Sequence, residues 1–510
     1  MPENNLAKKI DEYISKYPEK NCCWFRGEWW SSKKFKNLAD ECTEILKASD
    51  FSEGQRLAVL IPNSPMSLAL MYAAWKLGGV FCPLNEKTGE ISLLKTLDLL
   101  KPFAIALSEG VKKELEDALK NSGWYCARFN FEKITGKENF TGVTAQADES
   151  DKTLAVIFST SGTTGDPKAV PLTHENIFSN VEACLKQLKN LTPENSLLNV
   201  LPNFHAFGFT VCCVLPFVLG ASQVLVENFM PPSNVIKAIE EARPDVLLLV
   251  PTMFNFATAM LERQGKKLDC IKILITGGDK YNIKMDDRIT AAFGVPVIEG
   301  YGITECSPVL SVNPNPAVRK LGTVGPALPG FELQLRNESG EILKIPGEGI
   351  LWTKGPSVTP GYYHAEELNR ERFQDGWFNT GDYVQIDEDG YIKILDRVTD
   401  IIIVGGFNVY PQEVEAILAE HPAVGTAVVV GMPNDISGEV PKAFILKNKD
   451  AEVTERELIN FCKQRLSHYK VPRDVEFVDS LPLSATGKIL RRVLRQKERE
   501  KSKQESGVKK

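Results

Sequence analysis

Short runs of Val, Ile and Leu alternate along this chain with stretches whose apolar residues recur at helical spacing, and that alternation leaves few architectures open. RLAVLIP (56–62) is followed by the helix-patterned SLALMYAAWKLG and then by VFCPLN (80–85). TLAVIFS (153–159), ASQVLV (221–226), DVLLLVP (245–251) and IKILITGG (271–278) repeat the rhythm. Runs without a polar face predict strands buried in mostly parallel sheets and covered by helices, an α/β layered architecture. After about residue 322 the texture changes: PGFELQL, ESGEIL and DEDGYIKIL are shorter strands separated by turns, which predict a small β-barrel-like subdomain. From DRVTDIII (396–403) onward, a helix at 413–420, strands at TAVVVGMP and KAFILK, and a helix at ERELINFCKQRL predict a compact α+β module.

With 510 residues, 43% of them hydrophobic, the chain can close a large core, and disorder as its main state is excluded. The net charge of -6 has the wrong sign for a general polyanion binder, so no nucleic-acid partner is expected. One stretch is locally basic: Arg491, Arg492, Arg495, Lys497, Arg499, Lys501 and Lys503 cluster with few apolar residues. Its plain reading is a solvated, frayed end, and peripheral attraction to a membrane is the alternative. Residues 197–226 carry no Asp, Glu, Lys or Arg and exceed the ~20 apolar residues that a membrane span needs. Pro202, Asn203, His205, Gly208, Pro216 and Gly220 break that run into a loop, a buried helix and a strand, so no transmembrane segment is expected. The cysteine count of 11 is odd and includes no C-x-x-C, which argues for a reducing compartment. The polar N-terminus (1–17) lacks the apolar core of a signal peptide, and a cytoplasmic protein is expected.

IFSTSGTTGDPKAV (157–170) runs from a strand into hydroxyls and glycines and then a lysine. Gly162 and Gly165 let backbone N–H groups turn toward an anion, while Ser159, Thr160, Ser161, Thr163 and Thr164 add side-chain donors and Lys168 adds positive charge. The spacing is not that of a Walker A loop, whose glycines stand further apart and whose lysine directly follows a glycine. On composition alone, a phosphate cradle and a generic Ser/Gly-rich turn are equal readings.

Further motifs follow in order: PNFHAFG (202–208), EGYGITE (299–305), NTGD (379–382), DRVTDIIIVGGFNVYP (396–411) and LPLSATGKILRR (481–492). Together with STSGTTGDPK (159–168) they make the chain resemble the adenylate-forming superfamily over nearly its whole length, from about Leu57 to Arg492. That superfamily includes acyl-CoA synthetases, acyl-carrier-protein synthetases, beetle luciferases and peptide-synthetase adenylation domains. EGYGITECSPVLSVN and PNFHAFGFT are most similar to its fatty-acid-activating members, acyl-carrier-protein synthetases among them.

Forming an acyl-adenylate brings a carboxylate to the α-phosphate of ATP, so two anions meet and pyrophosphate leaves with its charge neutralised. Lys168 and its hydroxyl neighbours suit the β- and γ-phosphates. The resemblance makes Glu305 the Mg2+ ligand and puts Thr304 near the α-phosphate; read alone, a Glu after a Gly-rich turn is a capping or surface residue. Tyr301, flanked by Gly300 and Gly302, has neighbours slim enough for its ring to lie flat on adenine. The resemblance makes Gly277, Gly278 and Asp279 the opposite wall, although their letters alone say tight turn. It also implies that Asp382 holds the ribose hydroxyls and Arg397 orients the nucleotide.

His205, Phe207, Gly208, Thr252 and Met253 are by resemblance the acyl site. His205 is assigned to positioning the carboxylate or closing the pocket, because an ionised carboxylate has no proton for a base to remove. Gly405 and Gly406 have the slimness to line a pantetheine passage. The resemblance makes Lys488 the residue that contacts the carboxylate and α-phosphate during adenylation, before the C-terminal module swings to admit the thiol. Thr399 is a departure, since the family usually has Asp or Lys at this hinge position.

The expected organisation is a large N-terminal adenylation domain (1–396) holding the ATP and acyl sites, a hinge (397–400), a small mobile α+β domain (401–492) and a basic flexible tail (493–510). The expected activity is ATP-dependent conversion of a carboxylic acid, a fatty acid by preference, to an acyl-adenylate with pyrophosphate release, and then transfer to the thiol of coenzyme A. ATP, Mg2+ and coenzyme A are the implied cofactors. An acyl-acyl-carrier-protein synthetase using a carrier's phosphopantetheine, a fatty acyl-AMP ligase, and a non-catalytic acyl or nucleotide sensor are the alternatives. Retention of Lys168, Glu305, Asp382, Arg397 and Lys488 speaks against the sensor.

Overall fold

The computed structural model describes residues 5–135, 140, 152–161, 167–405, 407–434, 437–483 and 489–507. The chain forms two compact units, one comprising Met1–Glu332 and Thr353–Phe378 and the other Leu333–Trp352 and Asn379–Lys510.

In the first unit the apolar runs form two sheets. One has the spatial order Cys126–Phe129, Ala104–Ser108, Arg56–Leu60, Val80–Pro83, Leu154–Ser161, Pro167–Thr173. The other runs Val309–Val312, Val297–Gly302, Ile273–Thr276, Val246–Leu249, Ser196–Asn199, Ser222–Leu225, Asn21–Phe25, Glu28–Ser31. Interior neighbours are parallel, which explains the two-faced burial and the helical crossovers between them. Each sheet also ends in an antiparallel hairpin, one pairing Leu154–Ser161 with Pro167–Thr173 and the other pairing Val297–Gly302 with Val309–Val312. Ser159–Ser161 and Lys168 lie on the first of these hairpins and Glu299–Gly302 on the second.

The helix Pro65–Lys76 is buried on every face from Pro65 to Trp75, which is why its letters show no polar stripe. Residues 197–226 contain the loop, buried helical piece (the π-helix Gly208–Val214 continuing into Leu215–Leu219) and strand (Ser222–Leu225) expected of them, but open with the strand Ser196–Asn199, which was not expected. Phe209 ties this segment to the six-stranded sheet, stacking on Phe81 at 5.9 Å and meeting Phe158 edge-on at 5.4 Å. Among the described residues no helix is long and apolar enough to cross a membrane.

The second unit holds most residues of a smaller sheet, in the order Ile342–Leu343, Glu332–Arg336, Gly347–Lys354, Trp377–Ile386, Phe373–Gln374, with Ile392–Arg397 also pairing to Trp377–Ile386. A second sheet runs Phe407–Val409, Ile402–Val404, Gly438–Lys447, Val424–Asn434, with Asp474–Phe477 alongside Gly438–Lys447. Its helices are Pro411–Leu418, Glu455–Lys463 and Arg491–Gly507. Compactness groups Leu333–Trp352 and Asn379 onward with the C-terminal residues. Tyr383 stacks on Tyr410 at 5.4 Å, and the buried Asp396 accepts the Gln412 N–H at 3.1 Å.

The basic stretch expected as a flexible tail (493–510) is different: Arg491–Gly507 is a docked helix. Leu494 is buried against Val428, Val430 and Phe444. Glu498, 3% exposed, accepts from Lys442 at 3.0 Å, and Lys497 and Lys501 pair with Glu476. Lys442 is shielded by these partners, whereas Lys497 and Lys501 pair while remaining about half exposed.

Candidate functional site

Lys168 stands on the return strand of the first hairpin, in register with Thr160. Its ammonium lies 5.8 Å from the centre of the Tyr362 ring. The Tyr362 hydroxyl donates to Glu305 Oε1 at 2.6 Å. Burial, with the Glu305 carboxylate beside it, raises the phenol's pKa, so it remains a proton donor throughout the physiological range. Tyr362 is itself fixed: its N–H donates to Asn369 Oδ1 at 2.7 Å, and Asn369 Nδ2 donates back to its carbonyl at 2.8 Å. Glu305 sits in the single 3-10 turn Thr304–Cys306, and its carbonyl accepts the Thr359 N–H at 2.8 Å. One aromatic residue thus connects the cation of STSGTTGDPK to the carboxylate of EGYGITE.

Glu305 is a hard oxygen donor held by a neutral phenol. No group of three or more His, Cys, Asp and Glu suited to a metal occurs among the described residues. That donor set fits Mg2+, which takes one or two carboxylates and completes its shell with phosphate oxygens and water.

Tyr301 lies opposite Ser311 in the second hairpin. The glycine after it answers to packing: a methyl at Gly302 would lie 2.2 Å from the Pro308 carbonyl oxygen, so the hairpin closes only without one. Methyls at Gly277 and Gly278 would lie 3.7 and 4.0 Å from the Phe207 ring, and Val250, which precedes the helix Pro251–Gln264 bearing Thr252 and Met253, reaches Gly278 as well. Phe207 is therefore a neighbour of both Gly277 and Gly278, and Val250 of Gly278. Asp279 accepts the Lys280 N–H at 2.8 Å, at a bend over Gly278 and Asp279.

His205 is exposed, with its N–H donating to the Pro202 carbonyl at 3.0 Å and its own carbonyl accepting from Phe209 at 2.9 Å. A methyl at Gly208 would fall 2.5 Å from the carbonyl oxygens of Leu201 and Pro202, so the loop requires glycine there. The buried Asn63 holds this loop: Nδ2 donates to the Leu201 carbonyl at 2.9 Å, and Oδ1 accepts the Asn203 N–H at 3.0 Å. Thr304 is buried, and Ser159 is half-buried at the end of its strand.

In the second unit Asp382 and Arg397 face each other across paired strands, with Arg397 Nε 2.6 Å from Asp382 Oδ1. Asp382 is 1% exposed and its N–H donates to the Thr380 hydroxyl at 3.1 Å. Gly405 adopts a φ of +57° and donates to the Ser437 carbonyl at 2.8 Å. Gly162, Thr163, Thr164, Gly165, Gly406 and Lys488 lie outside the described residues, and Thr160 and Ser161 are described by backbone alone.

Sequence reasoning missed Tyr362, Asn63 and two carboxyls. Loss of water pushes Glu299 up to about 8 and Asp396 up to about 6. Glu299 stands inside EGYGITE and was open to notice; nothing in PGYY singles out Tyr362.

The AMP-binding enzyme profile matches residues 10–363, and the AMP-binding enzyme C-terminal domain profile matches residues 413–488. The chain belongs to the AMP-binding enzyme family. It is 31% identical to a long-chain-fatty-acid–CoA ligase of Bacillus subtilis over 536 aligned positions, covering 98% of this chain and 96% of that one. Among solved structures it resembles ATP-bound MatB of Rhodopseudomonas palustris, with 28% identity, a TM-score of 0.87 and coverage of 97% and 98%. It also resembles o-succinylbenzoate CoA synthetase of Bacillus subtilis in complex with its acyl-adenylate, with 27% identity, a TM-score of 0.82 and coverage of 96% and 97%.

Proposed function

We propose that this family member is an AMP-forming acid–CoA ligase whose substrate is a fatty acid. A carboxylate oxygen attacks the α-phosphorus of ATP and the bond to pyrophosphate breaks. The thiolate of coenzyme A then attacks the acyl carbon, and AMP leaves. The observation that carries this reading is the link from Lys168 through Tyr362 to Glu305, which gathers a cation and a metal-suited carboxylate around one fixed ring.

In this reading Lys168 neutralises the departing pyrophosphate, and Tyr362 keeps the Glu305 carboxylate oriented. Mg2+ bound at Glu305 supplies charge neutralisation of the phosphate oxygens. Tyr301, Gly277 and Gly278 bound the adenine, and Asp382, oriented by Arg397, takes the ribose hydroxyls as a two-oxygen acceptor. His205, Phe207, Thr252 and Met253 border the acyl group. Residues 397–400 act as a hinge, Lys488 serves the first half-reaction, and the face bearing Gly405 and Gly406 serves the second. The fatty-acid assignment draws on the Bacillus subtilis ligase, which aligns over almost the full length of both chains. A cytoplasmic location is proposed from the free thiols of Cys22 to Cys462.

The test is acid-dependent pyrophosphate release across acids of graded length and ring content, with coenzyme A, holo-carrier protein or no thiol present. Release that peaks with long acyl chains and a thioester formed with coenzyme A support the proposal. A thioester on the carrier protein alone would transfer the assignment to a carrier-protein synthetase, and no release with any acid would favour the sensor.

A further inference from the structure

Thr399 leaves the hinge without the charge its family carries there, and the structure supplies a charge from elsewhere in the same unit. Val398–Asp400 forms a single 3-10 turn, and the Ile401 N–H spans it, donating four residues back to the Arg397 carbonyl at 3.2 Å. Arg495, on the C-terminal helix, grips this turn with both arms of its guanidinium. Nη1 donates to the Thr399 carbonyl at 3.0 Å, and Nη2 forms an ion pair with the Asp400 carboxylate. Both side chains are mostly shielded, with 18% and 19% of their surface exposed, so the pair is screened less than an open surface pair.

The helix that presents Arg495 is anchored on each side of it. Arg491 makes a two-armed contact with Glu415, with Nη2 2.8 Å from Oε2, and Glu415 in turn accepts the Val429 N–H at 2.7 Å. Leu494 is buried, and Glu498 engages Lys442. Arg495 is thus delivered on a fixed element, and a planar fork matches two acceptors in neighbouring residues in a way an ammonium does not.

We propose that Arg495 is a positioning residue for the hinge, holding Val398–Asp400 in its present turn so that the module can reorient only when the guanidinium releases the Thr399 carbonyl. This rests on the two-half-reaction reading above. Rotating Thr399 about its φ and ψ carries its carbonyl off the Nη1 axis, so the clamp adds to the cost of leaving this conformation and biases the division of time between adenylation and thiol transfer. The charge missing from position 399 acts from Arg495 through Asp400.

The experiment uses the full chain with Arg495→Ala, Arg495→Lys and Asp400→Asn. Hydrogen exchange at the Ile401 amide is measured without substrates. Single-turnover rates are then measured for acyl-adenylate formation and for transfer from a supplied acyl-adenylate to coenzyme A. Losing a charge-assisted hydrogen bond predicts roughly tenfold faster exchange at Ile401 in Arg495→Ala and Asp400→Asn, a smaller change in Arg495→Lys, and a comparable shift in the ratio of the two rates. Asp400→Asn breaks the clamp from the hinge side and leaves the helix intact, which covers a helix that fails to dock in the Arg495 variants. Unchanged exchange, an unmoved ratio, or an equal fall in both rates would each overturn the proposal. A wild-type protein that makes no adenylate would sink the enzymatic reading, while the exchange result would still judge the clamp.

Discussion

Tyr362→Phe removes one oxygen and keeps the ring, and with it the packing against Phe373 at 6.3 Å and the ring face presented to Lys168. What disappears is the hydrogen bond of 2.6 Å to Glu305, together with the hydroxyl's contact with Arg372. A hydrogen bond to a charged group is worth about 1.5–3 kcal/mol, which is about 10- to 150-fold in any step that depends on the carboxylate's position. Because Glu305 is assigned to Mg2+, the loss should be largest at low Mg2+ and should shrink as Mg2+ is raised. Rapid-quench measurement of pyrophosphate release, with saturating acid and ATP and varied Mg2+, reads this directly. Transfer from a supplied acyl-adenylate to coenzyme A should stay within about twofold of wild type, an outcome measured in parallel. Adenylation by a normally folded Tyr362→Phe protein within twofold of wild type at every Mg2+ concentration would refute the idea that this phenol orients the carboxylate.

Lys488→Ala should depress adenylate formation by orders of magnitude while sparing thiol transfer from a supplied adenylate, whereas Lys168→Ala should chiefly impair the use of ATP; equal losses in both half-reactions for Lys488→Ala would contradict the moving-module assignment. His174 is buried, accepts the Leu6 N–H on Nδ1 at 3.2 Å, and has its pKa pushed by burial from 6.5 down to about 3. Its neutral form is favoured in the fold, so its contribution to stability is complete above about pH 6.5 and is lost as pH falls toward 3, amounting to about 2 kcal/mol at pH 5. The difference between wild type and His174→Asn in denaturant midpoint, followed from pH 7.5 to about pH 5, isolates this term; parallel curves would show that the imidazole contributes none of it. Ending the chain at residue 490 should lower the melting temperature of the second unit and abolish turnover, because Leu494, Arg491 and Glu498 go with it; unchanged melting would restore the frayed-tail reading.

Several interior strands of both large sheets were legible, among them 56–60, 80–83, 246–249 and 273–276, because a parallel sheet buried on both faces demands uninterrupted apolar runs; strands at or next to the sheet edges, such as Cys126–Phe129 and Asn21–Phe25, left no comparable run of Val, Ile and Leu. The break-up of 197–226 was legible for the opposite reason, since Pro202, Gly208 and Gly220 interrupt the apolar run. The C-terminal helix was misread because it docks largely through ion pairs with Glu415, Asp400, Glu476 and Lys442, and partners so distant leave no periodic mark in the sequence. Leu494 alone is a weak apolar signal. In the site, Lys168 and Glu305 stood out by motif, but the residue between them did not: Tyr362 lies 57 positions beyond Glu305, and its role arises from a fold-level approach. Gly302 also meets a demand that its letters do not show, the close approach of the Pro308 carbonyl across the hairpin. Local letters named the chemistry; burial and long-range pairing fixed how its parts are held.

The most direct measurement supplies the acid with 18O in its carboxylate and follows the label into AMP. Attack by the carboxylate on the α-phosphorus, followed by thiol transfer, predicts that each AMP released carries one 18O from the acid and that the pyrophosphate carries none. Label found in inorganic phosphate or ADP, or AMP released without label while thioester accumulates, would contradict an acyl-adenylate and the account built on it.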